Sequence, residues 1–461
     1  MNKIGIYGIV IFLSLSTLSI AQTDTVTFNL SKAQEYALEH NKELLNARED
    51  IAISEAEYKE TRSQGLPQVS GSMDYTTNFN YEFELGGRGG GVSMPDINFG
   101  LLDQGDQEVL SAIQQMMEPS GPSTIVMEDQ MNAQVRVSQL IFSGQYWIGL
   151  ETARIAEELA RKQVKKTKLD VKQQVTNTYY LILISERSLD ILQKNLSNLK
   201  EVLEHTRNMY QMGMVEQTDV DQIRMDVSKL KNSLESTRRN IRMNYKMLKI
   251  QLGLDQTQAI ALQDSLSSVL SKAEGDLLGE ELQLDNNPSF QMVRSREHLQ
   301  KKQVDLQKWA YAPTISGYYS YTEKIMTTAF DLSPKHAAGI TLSLPIYTGG
   351  SRQAKISKAQ IELDKTQRQK ALLKDKLKLQ ENQLKTDLKS ALENYQTQKE
   401  NVEVAENVYD NIYDKYKQGA VSSMDLTQAN SNYLEAKSNY ISSIIDLLQA
   451  KLALEKLYGT L

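Results

Sequence analysis

The residues best placed to do chemistry in this chain are two aspartates that follow a glycine break. "YQMGMVEQTDV" (210–220) and "YKQGAVSSMDL" (416–426) align Tyr210 with Tyr416, Gly213 with Gly419, Val215 with Val421 and Asp219 with Asp425, always 206 positions apart. An acid just after such a break can complement the dipole of a new helix, and Ser422-x-x-Asp425 also reads as a capping box. Other reactive groups are sparse. His40, His205, His298 and His336 are the 4 histidines and show no metal-ligand spacing. The Gly86 to Gly91 run lacks the Lys-Ser/Thr of a phosphate loop. The chain is read as a non-enzyme without cofactor or metal.

The elements that must carry those breaks are long and polar. Of 461 residues, 40% are hydrophobic and 24% charged, which favours solvated helices over one large core. A net charge of -6 without basic clustering excludes a nucleic-acid partner. Lys3, the apolar run Ile4 to Ile20 and the Ser19-Ile20-Ala21 triplet predict an export signal over 1–21 and a mature start near Gln22. With 0 cysteines there is no disulfide framework and no thiol for a lipid anchor.

The chain repeats itself. "LPQVSGSMDYTTNF" (66–79) matches "APTISGYYSYTEKI" (312–325) at an offset of 246, as do "HNKELLNAREDIA" (40–52) and "NNPSFQMVRSREH" (286–298). "VRVSQLIFSGQ" (135–145) matches "ITLSLPIYTGG" (340–350) at an offset of 205. Two tandem units, 22–265 and 266–461, are expected, the first with extra residues over 84–125. That insert is rich in Gly, Pro and Ser and reads as an exposed loop with a short helix near 104–117. Period-2 alternation predicts strands over 67–83, 127–142, 313–328 and 336–346, each long enough to cross a membrane when tilted. Proline-free stretches predict long helices over 144–212 and 350–418, each rod about 100 Å long. Return helices are expected over 216–252 and 422–458, the second with a 3,4 seam from Leu426 to Leu454 that suits coiled-coil packing.

Four strands cannot close a barrel, and open edges in lipid strand backbone polar groups, so closure must come from several chains. Trp147 and Trp309, the only 2 tryptophans, fall near strand-helix junctions beside Phe142, Tyr146, Tyr311 and Tyr347. They form either an interfacial girdle or ordinary packing at a bend.

In this order, "LSKAQEYALEHNKEL" (30–44), "LPQVSG", "APTISG", "LPIYTGG" and the two Tyr-x-x-Gly-x-Val breaks resemble the TolC-like outer membrane efflux protein family across the mature chain. The resemblance implies a mainly α fold with membrane β: a coiled-coil helical barrel plus a transmembrane β-barrel shared by a homotrimer in the outer membrane lipid. It implies a passive duct joined by a periplasmic adaptor to an inner-membrane pump of RND or ABC type. Asp425 then matches an aspartate ringing the closed aperture, while Tyr416 and Asp219 match a pair tying neighbouring hairpins. "QMGMVEQ" and "KQGAVSS", with Gly213, Val215, Gly419 and Val421, match the tips on which the adaptor docks. Val421 stands where an arginine can hold the gate and Gln428 where a second acidic ring can lie, so one latch and one ring are expected to be missing. The competing reading from the residues is a non-conducting structural or adhesive coiled-coil protein of the envelope.

Overall fold

The computed structural model describes residues 25–79, 81–85, 105–109, 111, 123–273, 277–326 and 333–461. The expected export signal lies outside the described residues, as does most of the 84–125 insert, of which 105–109 are helical. Two compact units are present, each drawing on both sequence repeats.

The first unit comprises the residues up to Glu55, Ile155–Gln300 and Glu362–Leu461. It begins with β1 (Val26–Phe28), α1 (Leu30–His40) and the start of α2 (Lys42–Ser63). Most of its mass is two α-hairpins: α3 (Gly144–Gln211) returning through α4 (Gln217–Leu252), and α7 (Ser351–Lys417) returning through α8 (Ser423–Tyr458). At 68 and 67 residues, α3 and α7 are each about 100 Å long. Such lengths are stable in water only because apolar positions recur along one face and find partners. Between the hairpins in sequence lie β6 (Ile260–Leu262), which pairs in parallel with β1, then α5 (Leu266–Ala273) and α6 (Pro288–Trp309).

One hydrogen-bond device occurs in both halves of this unit. Asn41 accepts from the Leu44 amide (3.1 Å) and donates its own amide to the Gln251 carbonyl (2.8 Å). Asn287 accepts from Phe290 N (3.1 Å) and donates to the Leu457 carbonyl (3.0 Å). Each buried asparagine thus caps one helix start and satisfies one carbonyl at the end of a return helix.

The second unit comprises Ala56–Arg154 and Lys301–Ile361. Its sheet runs in the order β2 (Gln68–Thr76), β5 (Gln130–Ser143), β7 (Thr314–Met326), β8 (His336–Ser343), all antiparallel. Among the described residues it is an open sheet whose edges are β2 and β8.

The first strand differs from its sequence pattern. The expected strand over 67–83 stops at Thr76, and Phe79 takes φ 52°, the one positive φ at a non-glycine among the described residues. Alternation then resumes in β3 (Tyr81–Leu85), which pairs with β4 (Ser123–Met127) as a separate two-stranded ribbon. Part of the segment expected as loop is therefore strand. The bend is held by Asp129, which accepts from the Tyr75 hydroxyl (2.7 Å) and from Asn78 N (3.2 Å).

Candidate functional site: the hairpin ends and the two-faced sheet

At the hairpin ends the chain must leave one helix and start its return partner within a few residues. Gly213 (φ 73°) and Gly419 (φ 71°) supply the left-handed turn. Apolar packing then joins all four helices. Leu199, Val202 and Leu203 of α3 meet Val220 and Ile223 of α4, Tyr409 and Tyr416 of α7, and Leu426 and Ala429 of α8. Deeper along the hairpins, Asn195 Nδ2 donates to Asn430 Oδ1 across 2.9 Å in a buried position.

The two aspartates begin the same way and end differently. Asp425 Oδ2 accepts from both Ser422 N (3.0 Å) and Ser422 Oγ (2.7 Å), and Asp425 N donates back to Ser422 Oγ (3.2 Å). This is a capping box closed within one hairpin. Those bonds to Ser422 hold the Asp425 carboxyl below its ordinary range, and the side chain is exposed. Asp219 Oδ2 accepts from Glu216 N (3.0 Å), but its Oδ1 accepts from the Ser423 hydroxyl of the other hairpin. Asp219 therefore ties the hairpins together while starting its own helix.

Tyr416 does not bond to Asp219. The Thr206 hydroxyl donates to the Val202 carbonyl (2.8 Å), leaving its oxygen to accept from the buried Tyr416 hydroxyl at 2.5 Å. Burial pushes the Tyr416 hydroxyl up, keeping it a neutral donor. Thr206 and Ser423 are thus the partners that sequence reasoning missed. Nothing in their type marks them, because a Ser or Thr in a helix more often bonds its own backbone. Val215 and Val421 are half-buried beside the turns, while Met212, Met214, Met424 and Gln428 are exposed.

In the other unit, the register sorts the sheet into two faces. Val69, Val137, Tyr319 and Ala338 share one row, and Met73 pairs Ala133 on the same side. Val69, Met73, Tyr75, Val135, Tyr319, Ile340 and Leu342 of this apolar face are exposed. The opposite face carries Ser70, Arg136 and Ser320 in one row, Ser72, Gln134 and Thr322 in the next, and Asp74, Asn132 and Lys324 beyond. An exposed apolar face backed by a polar one is the pattern of a membrane strand with lipid on one side and a wet lumen on the other. Trp147 and Trp309 are both exposed, and Trp309 also packs so closely over Gly144 that a Cβ there would lie 2.2 Å from its ring. Among the described residues no helix is long and apolar enough to cross a membrane.

A family model described as outer membrane efflux protein matches residues 34–253 and 281–460. The chain belongs to that family. Its members are outer membrane channels rather than enzymes, with a periplasmic part. The outer membrane protein TolC of Vibrio cholerae is 22% identical over 337 residues, covering 70% of this chain and 76% of TolC. The CmeC outer membrane channel of Campylobacter jejuni superposes with a TM-score of 0.70 at 16% identity, covering 94% of this chain and 85% of CmeC. The MtrE outer membrane channel of Neisseria gonorrhoeae, solved in its open state, gives 0.69 at 14%, covering 94% and 89%. These likenesses concern the fold: an outer membrane efflux protein that is mainly helical, with a small antiparallel sheet.

Proposed function

We propose that this outer membrane efflux protein is a passive exit duct, built from three copies, for a tripartite efflux pump or type I secretion system. The observation that carries the reading is the open four-stranded sheet with an exposed apolar face, a polar face and two edges that are unpaired among the described residues. Edges in lipid leave backbone groups unsatisfied at several kcal/mol each, so the sheet needs other copies to close it. Three chains give a barrel of about 12 strands, a size within the range of outer membrane barrels. The hairpin ends then act as the aperture, with Asp425 and Asp219 as its charged groups. The turns at Gly213 and Gly419, with Val215 and Val421 beside them, receive a periplasmic adaptor that links the duct to an inner-membrane pump of RND or ABC type. Trp147 and Trp309 anchor the sheet at the lipid boundary. No step of bond making is assigned to the chain, and the solute moves through it by the pump's work.

Purified full-length protein in planar lipid bilayers tests this reading. Discrete, ion-selective current steps are expected. Silence under every voltage, pH and salt condition, from protein shown to be inserted, would instead favour a non-conducting coiled-coil spacer of the envelope.

A further inference from the structure

Helix α6 is held between α3 and α7 by two polar ties. On one side Lys162 Nζ donates to Ser295 Oγ (2.5 Å), and on the other Lys370 Nζ donates to Glu297 Oε2 (2.8 Å). Ser295 and Glu297 are both buried. Met292, Arg296 and Leu299 are spaced four and three apart, so they share a face of α6 between those ties. With Val293 they line a groove of about 600 Å³, which Leu159 of α3 and Leu373 of α7 complete.

The groove is apolar along its length and positive at its rim. Arg296 and Lys166 line it, and no acid does. The carboxylates on the neighbouring turns are already engaged: Glu158 with Lys162 (2.6 Å), Glu297 with Lys370 (2.8 Å), and Asp170 with both Lys166 (2.9 Å) and Lys456 (2.6 Å). Asp170 therefore offsets only one of its two lysines, and the exposed Arg296 makes no ion pair among the described residues. Apolar walls focus such an uncompensated field on whatever enters. The volume falls within the roughly 300–1,000 Å³ of small-molecule sites. A guanidinium at the mouth of an apolar slot can grip a carboxylate with two parallel hydrogen bonds while the slot takes the apolar body.

We propose that this groove binds an amphiphilic carboxylate, with its apolar chain along Leu159, Met292, Leu299 and Leu373 and its acid head on Arg296. A neutral chain would leave the arginine unused, and a cationic one would be repelled by it. Because the groove joins one helix of the first repeat to two of the second, a bound ligand also braces α6 in its place. The site is independent of conduction, since it asks only for the packing of α3, α6 and α7 within one chain.

The chain has 0 cysteines, so one introduced thiol reports without background. In detergent-purified full-length protein, Met292→Cys is labelled with a water-soluble thiol reagent while decanoate is titrated, and Met243→Cys on α4, at a position 63% exposed, serves as the control. Decanoate is expected to slow labelling of Met292→Cys saturably and to leave the control unchanged, whereas decanol and decyltrimethylammonium at the same concentrations protect far less. Adding Arg296→Gln to Met292→Cys should raise the half-protecting concentration of decanoate about tenfold, the worth of one hydrogen-bonded contact to a charged group. No protection, equal protection by decanol or by the cation, slowing at both cysteines, or an unchanged half-protecting concentration with Arg296→Gln would overturn the site. So would a Met292→Cys that reacts only once the oligomer is dissociated, which would give the groove to a second copy. Each of these outcomes leaves the duct to be judged by its current alone.

Discussion

The two hairpin ends descend from one motif, yet they use it differently. At the first, the aspartate spends its two oxygens on two donors, Glu216 N in its own helix and the Ser423 hydroxyl in the other hairpin. At the second, a single oxygen of Asp425 takes both Ser422 donors, and the group closes on itself. The tyrosines differ in the same spirit: Tyr416 is buried against Thr206, and Tyr210 is exposed. A repeated sequence fixes which side chains are offered at each turn, whereas the neighbouring repeat determines which are taken up. Asp219 and Tyr416 are fasteners between the hairpins, and Asp425 is a helix cap that leaves its charge outward.

The contrast between the tyrosines can be broken most forcefully. Tyr416→Ala empties a packed site shared by four helices and should cost about 3–5 kcal/mol. Hydrogen exchange is expected to show lost protection at the ends of both α3 and α7. Tyr210→Ala should change protection within its own chain by no more than about 0.5 kcal/mol. Equal losses of protection would erase the distinction.

The glycines supply the control, since here the two ends should behave alike. A Cβ at Gly213 or Gly419 would meet nothing within 4 Å, so the penalty for Ala is that of the left-handed backbone alone. Gly213→Ala and Gly419→Ala should each cost about 1–2 kcal/mol, read by thermal melting. A difference much larger than the error would mean that one turn is under additional constraint.

Smaller effects separate the serines and the effect of acid. Ser422→Ala removes a cap and should loosen the start of α8 by about 1 kcal/mol, whereas Ser423→Ala should leave that helix capped and instead separate the hairpins. Because its bonds to Ser422 depress the Asp425 pKa in the folded chain, the cap's contribution is full above the ordinary carboxyl value of about 3.9 and is lost as pH falls through the folded value. Exchange at the start of α8 should therefore quicken only in strong acid, and Asp425→Asn should flatten that dependence.

The mainly helical class and the family were legible because they rest on local features: apolar positions at helical spacing, glycines at the breaks, and the quoted motifs in fixed order. Phe79 shows where legibility stopped in the fold. Alternation continues through it into Tyr81 and Phe83, so no signal in the residues marks a bend that Asp129 imposes from 50 residues away through Asn78 and Tyr75. In the candidate site, the aspartates stood out by type and position, but their partners did not. Ser423 and Thr206 act across the hairpins, and choosing between Thr206 and Asp219 as the partner of Tyr416 needs the packing of four helices at once. The asymmetry between Tyr210 and Tyr416 is beyond any reading of one repeat, since it depends on what stands next to it.

The most direct test of a fastened aperture is single-channel current from Asp219→Asn and Asp425→Asn in the same bilayers. Asparagine has one acceptor oxygen where aspartate has two. Asp219→Asn must therefore give up either its helix start or its hold on Ser423, and should raise the basal conductance. Asp425→Asn can keep its single-oxygen cap, and should alter cation preference with little change in opening. Wild-type conductance and selectivity in both variants would contradict the account and reduce the two aspartates to helix capping.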